Sequence, residues 1–177
     1  AERTADGVSV RGHPTRTPRD QPRSRTVGAT NALFIEGKRT GRIFLQGPGA
    51  GEGPTAAAVA ADIADVMTGA RRPVFQAPAK TLAASPKLAA GQHTGRAYFR
   101  LTVKDEPGVL AAVTETLAES GVSIDSFLQR PAETSGGVPV VFTTHATVES
   151  ALVEAVGRLA GLPQVLGEPR MIRIARA

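Results

Sequence analysis

The chain has 177 residues, 41% of them hydrophobic, with a formal net charge of +5 and no cysteine. This composition excludes disulfides, thiolate metal sites and a cysteine nucleophile, and an aromatic content of 4% leaves few stacking surfaces for single-stranded nucleic acid. No apolar run reaches about 18 residues, the length of a membrane span, and the N-terminal residues lack a signal-peptide pattern. Together with the absence of cysteine, this fits a cytoplasmic protein. We expect it to bind neither membranes nor nucleic acid.

The N-terminal segment, residues 1–28, is rich in Arg, Pro and Thr and has almost no apolar periodicity, which predicts a mostly irregular structure. Its positive charge comes from Arg3, Arg11, Arg16, Arg19, Arg23 and Arg25. Such a basic arm could contact nucleic acid or an acidic partner, but a solvated terminal segment is the simpler interpretation. The chain begins with Ala rather than Met, which leaves room for a missing upstream segment.

The next region predicts a β-hairpin, a loop and a helix. Two apolar runs, 32–36 and 42–46, flank a turn-like stretch and are typical of a hairpin. The Gly-rich residues 47–55 form a loop, and an Ala-rich helix follows from Thr55 to Thr68. The apolar face of this helix consists of Val59, Ile63, Val66 and Met67. Residues 70–95 contain three prolines and little periodicity, so they predict a linker.

From Arg96 onward, alternating runs and helical spacings predict the order β-α-β-β-α-β. The strands carry Phe99, Leu101 and Val103; Val122, Ile124 and Leu128; Val138, Val140 and Phe142; and Met171 to Ile174. The first helix buries Val109, Leu110, Val113 and Leu117, and the second, N-capped by Thr147, buries Val148, Leu152, Ala155 and Leu159. A loop is predicted at 133–137. This split βαβ order predicts a four-stranded antiparallel sheet with both helices on one face, and its open face and edge favour dimerisation.

The Gly-rich loop can bring backbone N–H groups close to an anionic or amide-bearing ligand, since it precedes a helix N-terminus. It is not a Walker motif, because no Lys-Ser/Thr pair follows. It is not a dinucleotide-binding fingerprint either, because Pro54 stands where a glycine is needed. From these residues alone, ligand contact and a simple tight turn both remain open.

The hairpin and loop also carry a resemblance to a known family. Asn31–Gly37, then Gly47–Ala56, then Val59 and Asp62, resemble the closing part of the catalytic region of homoserine dehydrogenases. Residues 7–28 resemble the stretch before it, especially in His13-Pro14-Thr15 and Pro18-Arg19-Asp20. The resemblance implies that the loop lies beside an NAD(P) cofactor, with Gly49, Ala50 and Gly51 next to the cofactor and Thr55 opening the following helix.

The chain departs from that family in two respects. The family usually has apolar residues near Arg16, Thr17 and Arg23. Its Rossmann glycine loop, catalytic lysine, substrate carboxylates and monovalent-cation site lie upstream of the part that this chain resembles. The resemblance therefore implies no catalytic residue in this chain, no tightly bound cofactor and no hydride transfer by the chain alone.

The turn at Asp105-Glu106-Pro107-Gly108, with Val122-Ser123-Ile124 further on, resembles the signature of ACT domains. Gly108 begins a helix, so free N–H groups there can meet a carboxylate while Asp105 holds an ammonium group. The resemblance implies an amino-acid effector, threonine foremost, bound between two ACT domains; the implied effector residues are Asp105, Gly108, Val109, Leu110, Ser123 and Ile124. Alternatively, Asp105 and Gly108 only form the turn, and the domain serves to dimerise.

These features together predict an α+β fold. An ACT domain of the ferredoxin-like β-α-β-β-α-β type occupies residues 96–177, a linker residues 73–95, and a partial α/β segment of hairpin, Gly-rich loop and helix residues 1–72. No metal site is predicted, because His13, His93 and His145 are far apart and lack ligand spacing.

The order of the segments favours the C-terminal portion of a homoserine dehydrogenase, the NAD(P)-dependent enzyme that interconverts homoserine and aspartate semialdehyde in threonine and methionine synthesis. The alternative is a free-standing ACT module that binds an amino acid, which the missing upstream half favours. In either case we expect a homo-oligomer formed through the ACT domain. A nucleic-acid-binding protein has only the N-terminal arginines in its favour.

Overall fold

A computed structural model of the chain describes residues 1–70, 75, 77–129 and 136–175. These residues divide into two units: residues 1–18 with 85–177, called here the α+β unit, and residues 19–84, called the hairpin unit. The sequence predicts residues 1–72 as one segment, whereas the structure groups residues 1–18 with the C-terminal part of the chain. Residues 133–135 of the predicted loop and part of the predicted linker lie outside the described residues.

The elements are numbered in chain order among the described residues. The strands are β1 (Glu2–Arg3), β2 (Val8–Ser9), β3 (Thr15–Arg16), β4 (Thr30–Gly37), β5 (Gly41–Pro48), β6 (Thr94–Val103), β7 (Ile124–Gln129), β8 (Val138–Thr144), β9 (Thr147–Val148) and β10 (Arg170–Ile174). The α-helices are α1 (Glu52–Met67), α2 (Val109–Glu119) and α3 (Glu149–Ala160). Short 3-10 helices occur at Pro22–Arg25, Ala79–Thr81 and Ala90–Gln92.

The α+β unit contains the predicted β-α-β-β-α-β order, and the predicted fold class is confirmed. Its strands β10, β6, β8 and β7 lie side by side in that order and are all antiparallel. Two short strands extend this sheet beyond the prediction: β3 pairs in parallel with β10, and β9 pairs with the start of β6. The prediction that residues 1–28 are mostly irregular therefore misses three short strands, because residues that have no apolar periodicity pair through their backbones.

The core of the α+β unit lies between one face of the sheet and helices α2 and α3. Alternate residues of β6 and β8 point into it, and Phe99 and Phe142 are fully buried cross-strand neighbours. Their rings stack with centroids 4.8 Å apart. Both helices contribute to the same cluster, with Val113 and Leu117 from α2 and Leu152 and Leu159 from α3. Since the buried residues alternate along the strands, both helices cover the same face of the sheet.

The start of α3 differs from the prediction. The Thr147 hydroxyl donates to the carbonyl oxygen of His145 (3.1 Å) and does not cap the helix, whose N-cap residue is Val148. Val148 is exposed rather than buried. The physical reason is the pairing of β9 with Thr94 and Gly95, which keeps the chain extended as far as Val148. The prediction of Thr147 as the N-cap and of Val148 as a core residue is thus wrong.

The hairpin unit consists of the antiparallel pair β4–β5, the Gly-rich loop and α1. Leu33 pairs with Leu45 and Ile35 with Ile43, and all four side chains are more than one third exposed. Helix α1 begins at Glu52 rather than at the predicted Thr55, and none of its residues is buried. Its predicted apolar face is present but uncovered. None of the helices in the described part of the chain is long and apolar enough to cross a membrane.

Candidate effector and cofactor sites

The Gly-rich loop joins β5 to α1 within the hairpin unit. The N–H of Gly49 donates to the carbonyl oxygen of Ala29 (3.0 Å), which ties the loop to the residue before β4. A Cβ on Gly49 would overlap the Asn31 side chain, and Gly51 has a φ of 126°, which side-chain-bearing residues rarely adopt. Gly51 is therefore needed for this path of the backbone, whereas a side chain at Gly49 would require the Asn31 side chain to move.

Gly51 is also the N-cap residue of α1, and its carbonyl oxygen accepts hydrogen bonds from Thr55, from the N–H at 3.2 Å and the hydroxyl at 2.7 Å. The structure thus brings together the predicted cofactor residues Gly49, Ala50, Gly51 and Thr55, within one loop and the first turn of a helix. The helix N-terminus supplies free backbone N–H groups to a phosphate or an amide carbonyl. This arrangement can contact one part of a dinucleotide but cannot enclose it.

The predicted effector residues at the other end of the chain lie around the start of α2. Gly108 adopts a left-handed conformation with a φ of 85° as the N-cap residue, and a Cβ there would meet no atom within 4 Å. Asp105 is exposed in the preceding turn, while Val109 is buried in the core. Open space, an exposed carboxylate and a helix N-terminus are thus combined at this corner, as an amino-acid zwitterion requires.

Ser123 and Ile124 lie at the opposite end of the same sheet. On β8, Val138 is opposite Val103, which precedes the Asp105 turn, whereas Thr144 is opposite Ile124. These two points on β8 are separated by the length of the strand, about 20 Å at about 3.4 Å per residue. One copy of the chain therefore cannot bring the two groups of predicted effector residues to one small ligand.

A polar cluster that the sequence analysis did not identify surrounds the start of β7. Asp125 pairs with Arg96 on β6, accepts a hydrogen bond from Thr143 (3.0 Å) and lies 3.9 Å from the Nδ1 of His145. The register of β7 against β8 shifts between Ile124 and Ser126, and this irregularity brings Asp125 to its partners. Residue spacing gives no signal for such a shift, which explains why the cluster was missed.

The carboxyl group of Asp125 makes the stability of the chain depend on pH in the acid range. The hydrogen bond from Thr143 and the charges of Arg96 and His145 lower the pKa of Asp125 below its ordinary value of 3.8. Because the pKa of Asp125 is lower in the folded state than in the unfolded state, its stabilising contribution is fully present above the unfolded-state pKa. It is lost as the pH falls through the folded-state pKa. We expect Asp125→Asn to flatten the acid limb of a stability-versus-pH curve, measured by urea unfolding.

Glu154→Gln is the matched control, because Glu154 is exposed on α3 in the same unit. An acid limb that is equally steep in wild type and in Asp125→Asn would contradict the role of this carboxyl group.

No group of three or more His, Asp or Glu side chains in the described ranges is arranged to hold a metal ion.

Comparison with known proteins relates the two parts of the chain to two families. Residues 2–64 match the family model of homoserine dehydrogenase, and residues 97–161 match that of the ACT domain. The chain is 35% identical to homoserine dehydrogenase of Pseudomonas aeruginosa and 32% identical to that of Helicobacter pylori, covering 98% of this chain in both cases. It spans 42% and 41% of the length of these two relatives.

Solved structures give the same result. The crystal structure of a homoserine dehydrogenase from Thiobacillus denitrificans matches 98% of this chain and 40% of its own length, with a TM-score of 0.81 and 33% identity. Homoserine dehydrogenase of S. aureus matches 91% of the chain with a TM-score of 0.51 and 15% identity, a likeness of fold alone. Both resemblances predicted from the sequence, to the closing part of a homoserine dehydrogenase and to an ACT domain, are confirmed.

Proposed function

We propose that the chain is the C-terminal portion of an NAD(P)-dependent homoserine dehydrogenase, because residues 2–64 match the homoserine dehydrogenase family and residues 97–161 match the ACT family. The whole protein interconverts homoserine and aspartate semialdehyde in the cytoplasm, and the ACT domain regulates it. The observation that carries this proposal is the order of the two matches along a chain that spans about 40% of its relatives' length.

In this proposal the chain contributes one contact to the cofactor site and no catalytic group. The backbone around Gly49, Ala50 and Gly51, with Thr55 holding the first turn of α1, would line one side of NAD(P), which when bound in the whole protein would supply hydride-transfer chemistry. We expect the purified chain to produce no NADPH from homoserine and NADP, under conditions in which the Pseudomonas aeruginosa enzyme does. Turnover of homoserine by the chain alone would contradict the proposal that the chain contains no catalytic group.

The exposed apolar side chains of the hairpin unit support the same proposal. Leu33 and Leu45 on one face of the hairpin are 55% and 56% exposed, and Val66 and Met67 on α1 are 80% and 82% exposed. A soluble protein rarely leaves such neighbouring apolar side chains in water. In the proposed whole protein they are covered by the part of the polypeptide that the relatives have and this chain does not.

The ACT domain, in this proposal, binds an amino acid between two copies of the chain, with threonine as the first candidate. Asp105 and Gly108 of one copy face Ser123 and Ile124 of the other, because about 20 Å separates these two groups within one copy. The same site would serve the alternative function, a free-standing ACT module that senses an amino acid. Homoserine dehydrogenase activity of the longer protein would distinguish the enzyme from the free-standing ACT module.

Asp105 is expected to be needed for threonine binding, since its exposed carboxylate is the proposed partner of the ligand's ammonium group. At a threonine concentration of one hundred times the Kd, bound ligand should stabilise the wild-type chain by about 2.7 kcal/mol. Asp105→Asn should abolish this stabilisation in a thermal-shift measurement. Glu115→Gln, the same change on the exposed side of α2, should retain it. Equal stabilisation of both variants would refute the assignment of Asp105.

Mixed oligomers test whether the site is shared between copies. Ser123→Tyr should block the second half of the site, because Ser123 is exposed and a larger side chain there fills the space of the ligand. Neither Asp105→Asn nor Ser123→Tyr alone should bind threonine. After the two variants are mixed and allowed to exchange subunits, one intact site forms per mixed dimer, and calorimetry should recover binding. No recovery despite demonstrated exchange would exclude a shared site.

A further inference from the structure

A short strand near the start of the chain pairs with the sheet of the ACT domain, although it lies within the segment that matches the dehydrogenase family. Residues 2–64 match the dehydrogenase family, yet residues 1–18 lie in the α+β unit. Strand β3 forms the outermost strand beside β10, with Thr15 opposite Arg173 and Arg16 opposite Ile174. The N–H of Ala175 donates to the carbonyl oxygen of Arg16 (2.9 Å), which completes this pairing.

A second attachment lies a few residues earlier. The N–H of Val8 donates to the carbonyl oxygen of Pro86 (2.8 Å), and the N–H of Leu88 donates to the carbonyl oxygen of Val8 (3.1 Å). Val8 is thereby bridged in parallel to Lys87, in the stretch of chain that leads into β6. Gly7 sits so close to Pro86 that a Cβ would overlap the carbonyl oxygen and lie 3.0 Å from the carbonyl carbon.

Arg16 explains one of the departures from the family pattern. Its guanidinium lies 4.2 Å from the centroid of the Tyr98 ring on β6, within the range of a cation–π interaction. Arg16, in a stretch where the family usually has apolar residues, thus contacts the open face of the ACT sheet. The two side chains can meet because β10 lies between β3 and β6. Arg16 on β3 pairs with Ile174 of β10, and Tyr98 on β6 pairs with Ile172 of β10.

We propose that residues 7–16 form a clamp with two attachment points in the α+β unit: Val8 pairs with the stretch that leads into β6, and Arg16 pairs with β10 at the edge of the ACT sheet. The hairpin unit, residues 19–84, is flanked in the chain by Pro18 and Ser85, and both of these residues lie in the α+β unit. The clamp itself does not rest on the proposed function.

Hydrogen exchange of the intact chain, followed by NMR, tests the clamp without any ligand. The amides of Leu88 and Ala175 report on the two attachment points, and the amide of Lys104, which donates to the carbonyl oxygen of Gln164 (2.9 Å), reports on the sheet away from the clamp. We expect all three to exchange slowly. Exchange of Leu88 and Ala175 at the unprotected rate, with Lys104 still protected, would overturn the proposal and leave the proposed function standing.

A matched pair of glycine variants tests the fit at Val8. Gly7→Ala places a methyl group against Pro86, whereas Gly12→Ala places one in open space. We expect Gly7→Ala to accelerate exchange of the Leu88 amide about tenfold or more by local opening, with Lys104 unchanged, and Gly12→Ala to behave as wild type. Identical protection of Leu88 in both variants would contradict this attachment.

Arg16→Gln provides the second test, which keeps the proposal open to refutation if Gly7→Ala fails to fold. It should accelerate exchange of the Ala175 amide, because the contact with Tyr98 is lost. Arg39→Gln, in the exposed turn of the hairpin, is the control with the same chemical change. Equal Ala175 protection in these two variants would show that Arg16 does not hold the clamp.

Discussion

Phe142→Ala is expected to lower the free energy of unfolding by about 3–5 kcal/mol, the usual cost of truncating a buried phenylalanine. Phe142 is fully buried at the centre of the ACT sheet and stacks on Phe99 with ring centroids 4.8 Å apart. Truncation removes both the apolar burial and the ring contact, and strands on both sides of β8 restrict collapse around the cavity. Urea unfolding followed by circular dichroism measures the change.

Phe127→Ala is the matched control, because Phe127 lies opposite Phe142 on β7 but is 40% exposed. Its truncation should cost about 1 kcal/mol, less than half the cost at Phe142. A loss at Phe127 as large as that at Phe142 would mean that Phe127 is covered in solution, which would point to pairing of the free edge of β7 with a second copy.

Arg173→Met is expected to destabilise the chain by about 2–3 kcal/mol, somewhat less than the about 3–5 kcal/mol typical of breaking a fully buried ion pair. The Arg173 Nε donates to Glu149 Oε1 (2.8 Å), and the Glu149 side chain is only 8% exposed. Without the guanidinium, the Glu149 carboxylate stays buried and unpaired. The arginine itself is 30% exposed, which lets water replace part of the interaction.

The double variant with Glu149→Leu should recover most of this loss, because removing both charges removes the desolvation penalty as well. Arg170→Met, on the same strand, is the control: Arg170 is 74% exposed and lies 3.7 Å from an exposed Glu168, so its loss should cost less than about 0.5 kcal/mol. A double variant as unstable as Arg173→Met would disprove the unpaired-carboxylate explanation.

The sequence predicted most of the ACT domain because its signals are local. Alternation along β6 and β8 marks the buried face, and four-residue spacing along α2 marks the helix. The Gly-rich loop was also predictable from its run of Gly and Pro residues, and Gly51 there has a positive φ that glycine adopts without strain. The start of α3 was not, because strand pairing at Thr147 overrides its tendency to cap a helix.

The sequence by itself therefore predicted the resemblance to both families, the β-α-β-β-α-β order and most residues of the core, since each depends on residue type and short spacing. Only the tertiary structure decided that Asp105 and Ser123 lie at opposite ends of one sheet, that Asp125 pairs with Arg96, and that Thr15 and Arg16 form an edge strand of the ACT sheet. These three features depend on strand register and on backbone hydrogen bonds between distant segments. Backbone groups are alike in every residue, so residue types carry little information about which segments they will join.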